Sequence, residues 1–140
     1  MKSIFAALVI CSMATTSVAS VGNASTHRLY GKWTWTYSKN NCTEVYDYRP
    51  DNTSVVTSGE EMGESRFTIS DKPDLNGFYR MTDEVTKSNG RTGCDGSPGG
   101  TPAGHTVTIY MLFHPTKEEM LICQEPSLNT CFGPLRRISQ

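Results

Sequence analysis

The sequence is poor in the groups from which catalytic and metal sites are usually built. It has three histidines, no Cys-x-x-Cys pair, no Gly-x-Ser-x-Gly elbow and no run of basic residues. Without closely spaced ligand pairs, the cysteines do not read as a structural zinc site. Without a basic patch, nucleic acid is not an expected partner. His27 precedes the first strand, and His105 and His114 stand nine residues apart on one strand, about 30 Å from each other and on opposite faces. No metal and no cofactor are expected. "CDGSPGG" at 94–100 holds Ser97 among glycines, but Pro98 follows it directly and no histidine is near, so a serine nucleophile is not expected. Period-3.6 patterning is missing too, which excludes a helical core.

What is present begins with a charged start, Lys2, an apolar run from Ile4 to Cys11, and Ser17-Val18-Ala19. That order predicts a signal peptide over 1–19 and export to the periplasm or beyond. The apolar run is shorter than the roughly 20 residues that cross a bilayer. Cleavage after Ala19 removes Lys2 and Cys11, leaving 12 of the 13 basic residues against 14 acidic ones, and four of the five cysteines. Cys42, Cys94, Cys123 and Cys131, an even count in a small exported chain, predict two disulfides. Residues 20–140 then form one domain whose modest core such bonds would support.

Period-two alternation divides the mature chain into strands. They fall at 31–37, 42–49, 53–58, 65–70, 78–86, 105–113, 119–124 and 132–138. The first carries Trp33, Trp35 and Tyr37 on one face; the sixth carries Val107, Ile109, Met111 and Phe113. Between the strands lie turns at 38–41, 50–53, 71–77 and 114–118, an acidic connection at 59–64, and the glycine-rich stretch 88–104. Eight sequential strands predict an all-β, antiparallel up-and-down barrel, with a β-sandwich as the competing architecture. In the meander all four cysteines fall at one end, so the disulfides staple one rim. The alternation does not choose among the three pairings. We favour Cys42–Cys94, which pins the glycine-rich loop, with Cys123–Cys131, which closes a local one.

Gly31-Lys32-Trp33, at the start of the first strand, resembles the Gly-x-Trp motif of the lipocalin and lipocalin-like barrels. The resemblance implies that Gly31 and Trp33 close the barrel floor and that an arginine from the end of the last strand, Arg136 or Arg137, packs across the indole. The chain is most similar to small exported lipocalin-like domains of bacteria, and this implies binding rather than catalysis. The expected ligand site is the loop-bearing mouth, with Tyr37, Tyr46 and Tyr48 nearby. An alternative is a protein-interaction module, such as an inhibitor or immunity factor for an exported hydrolase, using Glu60, Glu61 and Glu64. Ser58-Gly59 resembles the Ser-Gly turn that small exported barrels present to lysozymes. Here Glu60 and Glu61 follow it and would repel that enzyme's carboxylates, so such a role would address another target.

Overall fold

The computed structural model describes residues 26–139; the predicted signal peptide at 1–19 lies outside them. Eight antiparallel strands follow one another around a closed barrel: β1 Gly31–Tyr37, β2 Cys42–Tyr48, β3 Thr53–Ser58, β4 Glu61–Ile69, β5 Phe78–Ser88, β6 Thr106–Phe113, β7 Glu119–Cys123 and β8 Cys131–Ser139. Pairing of Trp33 with Arg137 and Thr34 with Arg136 joins the first strand to the last. Closure leaves no unpaired sheet edge. The sandwich alternative is excluded. The one helical turn among the described residues is the short 3-10 segment Leu128–Thr130 before β8.

The expected strands are present, with one correction. Residues 59–64 are not a long connection. Gly59, with φ +60°, is the first central residue of a two-residue hairpin, a place where type II′ turns take glycine. β4 therefore starts at Glu61, and Ser58 pairs with Glu61 across the turn. β5 also runs on to Ser88, where it pairs with Gly63, and its register against β4 shifts by one residue between Glu64 and Ser65.

Alternation sends one set of side chains inward, and that set changes character along the barrel axis. Near the floor it is apolar and closely packed: Leu29, Trp33, Phe67, Met81, Met111, Met120 and Leu135 are all at most 1% exposed. Leu29 comes from the segment before β1, and its carbonyl accepts the Trp33 indole N–H at 2.7 Å. Arg137, not Arg136, closes the floor. Its guanidinium carbon stands 4.1 Å from the Trp33 ring, and it donates to the carbonyls of Tyr30 and Arg28, each at 2.5 Å, and to Glu118. The next residue in a strand faces outward, so Arg136 lies on the outer wall and pairs with Glu119 at 3.3 Å.

Both disulfides form as favoured, Cys42–Cys94 and Cys123–Cys131. Both lie at the rim opposite the floor, where β2 and β8 begin and β7 ends.

Candidate functional site

In the upper half of the barrel the inward set turns polar. Register places Glu44 opposite Ser58, Tyr46 opposite Val56, Val56 opposite Gly63, Ser58 opposite Glu61 and Ser65 opposite Val85. These residues, with Asp83 and Val107, enclose a chamber of about 330 Å3. Gly63 helps to keep it open. A Cβ added there would meet only the Lys87 carbonyl oxygen, at 3.7 Å. On the β1 and β8 side the space is filled, because Trp35 packs against Phe132 with ring centroids 5.0 Å apart.

The glycine-rich loop after β5 forms the roof. Its Cys94 is bonded to Cys42 at the start of β2, and the Asn40 side chain donates to the Cys94 carbonyl at 2.9 Å. The Cys94 N–H donates to Ser58 Oγ at 2.9 Å, which ties the roof to an inward residue. The far part of the loop is held by Glu61, whose Oε1 accepts the Thr101 N–H at 2.6 Å. Two glycines make this docking possible. A Cβ on Gly93 would come within 2.6 Å of Glu61 Oε2, and one on Gly100 within 2.7 Å of Oε1. The loop composition that reads in sequence as a lack of structure is thus what lets backbone lie directly on a carboxylate.

The chamber is acidic, yet its carboxylates are not equivalent. Glu44 accepts from Tyr46 at 2.6 Å with one oxygen and from Ser58 at 2.7 Å with the other. Burial, reinforced by the Glu44 charge, drives the Tyr46 hydroxyl well above the ordinary tyrosine range, so it stays a donor. Asp95 accepts from the Ser97 N–H and hydroxyl, and these bonds hold its carboxyl below the usual value. Asp83 differs. Burial pushes its carboxyl up, against the opposing pull of the Ser65 hydroxyl and His105, and its Oδ1 is buried with no hydrogen-bond partner. Lone buried carboxylate oxygens are costly to the fold.

The expected site residues scatter. Tyr46 lines the chamber. Tyr48 lies one inward position below it, 3% exposed, its ring edge-on to Phe67 at 5.5 Å. Tyr37 stands at the rim against Trp35, 5.0 Å between centroids, away from the chamber lining. The three glutamates do not share one face. Glu60 is on the rim beside Arg91 at 3.8 Å, Glu61 points into the barrel, and Glu64 is on the outer wall with Lys87 at 3.1 Å. Glu44, Gly63 and Asp83 were missed. Their signal is parity: Asp83 sits between Met81 and Val85 on the inward face of β5, and Glu44 shares its face with Tyr46 and Tyr48.

Other depressions lie elsewhere, two of them of note. One of about 390 Å3 flanks the floor beside Arg28 and Arg137; another, of about 550 Å3, is an apolar groove on the outer wall between Leu112 and Leu121. Neither lies within the barrel walls. Among the described residues no three histidine, cysteine, aspartate or glutamate side chains are arranged to hold a metal ion, and no helix is long and apolar enough to cross a membrane. No family model, no curated protein and no solved structure matches the chain.

Proposed function

We propose that this protein is an exported, lipocalin-like binding protein that holds a small ligand in the upper chamber and does not transform it. The observation that carries the reading is the division of the barrel interior. A packed apolar lower half supplies the fold, and an upper half under the stapled roof stays open although larger side chains could fill it. A volume of about 330 Å3 lies within the range of roughly 300–1,000 Å3 usual for small-molecule sites. The mixture of valines, Tyr46 and convergent polar groups is the lining such sites use. The two disulfides are consistent with an oxidising compartment, and they support export to the periplasm or the exterior. The stack of Arg137 on Trp33 supports the lipocalin kinship.

The inhibitor or immunity role has less behind it, because Glu60, Glu61 and Glu64 face three directions and offer no common patch.

Filling the chamber tests the reading. Ligand-observed NMR with a library of small fragments should give hits on the wild type that disappear with Gly63→Leu. A wild type without hits, or hits that survive the substitution, would reject it.

A further inference from the structure

At the end of the barrel away from the chamber, we propose that the segment before β1 is an acid-sensitive latch on the floor. It is closed while the His27 imidazole is neutral and loosens when the ring takes up a proton.

Residues 26–30 lie across the floor and carry much of its closure. Leu29 is wholly buried, its carbonyl accepts the Trp33 indole N–H, and the carbonyls of Arg28 and Tyr30 accept from Arg137. Arg28 in turn donates to the carbonyls of His114 and Lys117, at 2.6 and 3.0 Å. Two local bonds fold the segment into this position. The Tyr30 N–H donates to the His27 carbonyl at 3.1 Å, and the Leu29 N–H donates to His27 Nδ1 at 3.0 Å. A ring nitrogen accepts only with its lone pair free, so the imidazole proton sits on Nε2. Nε2 itself is buried and makes no hydrogen bond. The ring is packed among Tyr30, Tyr79 and Phe113, with centroids 6.0, 5.1 and 6.2 Å away.

A proton on Nδ1 turns that acceptor into a donor facing another donor, and the Leu29 bond is lost. The imidazolium also cannot be hydrated at its buried Nε2. Burial lowers the His27 pKa from the ordinary value and outweighs the Ser70 carbonyl and the Asp71 charge, which favour the imidazolium. The remaining charged groups around the ring are Arg28 on the segment itself and Asp47, Arg49, Glu118 and Arg137 about the floor depression that the ring borders. With Asp71 they make three cations and three carboxylates, so net charge does not rescue the protonated ring. Because the closed latch resists the proton, acid favours the open one. Opening is independent of pH above the ordinary histidine value near about 6.5. Below it, opening grows by at most about tenfold per pH unit, the limit for one linked proton, and levels off once the closed form is itself protonated.

Hydrogen exchange followed by NMR on the oxidised protein tests this between about pH 7.5 and about pH 4.5. The Leu29 amide reports the latch, and the Met111 amide in β6 reports opening of the whole barrel. Leu29 protection, corrected for the intrinsic exchange rate, should fall at least about 10-fold across that range, the scale of one lost hydrogen bond. Met111 protection should hold, and the His27 ring should titrate over the same interval as Leu29 loosens. In His27→Asn the carboxamide oxygen can accept the N–H two residues on, as in an Asx turn, without titrating. Leu29 protection in that variant should not change with pH. The latch is overturned by Leu29 protection that stays flat in the wild type, or that falls in step with Met111. A fall that survives His27→Asn also overturns it, by assigning the effect to His114, Asp71 or another group of the floor. Should His27→Asn not fold, the wild type decides alone: a ring with Nδ1 protonated at about pH 7.5, or one that titrates without moving the Leu29 amide, rejects the proposal. No ligand enters the measurement, so its outcome is independent of the chamber reading.

Discussion

Gly63→Leu separates ligand binding from stability, because the two should move in opposite directions. Gly63 lies within β4 on the inward face, between Val56 and Ser88 in the pairing, and its neighbourhood is empty out to the Lys87 carbonyl oxygen at 3.7 Å. Replacing glycine in a strand restricts the unfolded chain, which favours the fold by about 0.4–1 kcal/mol. A leucine entering the chamber meets Val56, Tyr46 and Val85 on one side and water on the other. Roughly half of the about 1.5–3 kcal/mol for full burial of such a side chain is then recovered, some 1 kcal/mol. The sum is a gain of about 1–2 kcal/mol, which for a domain of this size raises the midpoint by several degrees. Urea unfolding followed by tryptophan fluorescence reads it directly, since Trp33 is buried in the floor. A destabilisation of more than about 1 kcal/mol would mean overpacking. The chamber would then be closed and the reasoning refuted.

Trp33→Ala should cost about 3–5 kcal/mol by urea unfolding. The two adjacent arginines should separate cleanly: Arg137→Ala removes donors from the carbonyls of Tyr30 and Arg28 and should cost at least about 2 kcal/mol, whereas Arg136→Ala on the outer wall should stay within about 0.5 kcal/mol. Removing Cys42–Cys94, separation 52, should cost about 4 kcal/mol and removing Cys123–Cys131, separation 8, about 2.5, from the chain-entropy relation; equal costs in denaturation of the paired Cys→Ser variants would contradict that ranking. Asp83 takes up a proton more readily folded than unfolded, so its contribution to stability rises as pH falls through its raised value and levels off below the ordinary aspartate range near about 4. Asp83→Asn should therefore be more stable than wild type at pH 7 and equal to it near about pH 3; an advantage that persists in acid would count against a buried charge.

The strand order was legible because the lower barrel obeys a simple code. Trp33, Phe67, Met81, Met111 and Leu135 are apolar at every second position, and the floor pair could be read from a short motif and a terminal arginine. The upper barrel breaks the code. Glu61 and Gly63 carry no apolar signal, so the start of β4 looked like a turn. Asp83 and Glu44 sit on inward positions but have the chemistry of outward ones. Their role depends on which neighbours the closed sheet brings opposite them, and this is a property of register rather than of any local run. Choosing Arg137 over Arg136 likewise required the parity of β8, which its bulge against β7 changes partway along the strand.

On the reading proposed above, the fastening at Cys94 also bears on how fast the ligand comes and goes. A roof held at both ends and again near its middle cannot lift as one flap. It is divided into a short span before Cys94 and a longer one from Asp95 to Gly104, and passage into the chamber follows whichever span opens with the smaller loss of contacts. Opening the longer one breaks the Thr101–Glu61 bond while the Cys94–Ser58 bond and the strands stay intact. On that reading, reduction of Cys42–Cys94 would leave the roof held at Cys94 by the Ser58 and Asn40 bonds alone, and should shorten the residence time of a bound molecule. On the proposed reading, lifetime in the chamber and affinity for it would depend on different parts of the chain: the first on a covalent tether on the rim, the second on side chains on β2 to β6.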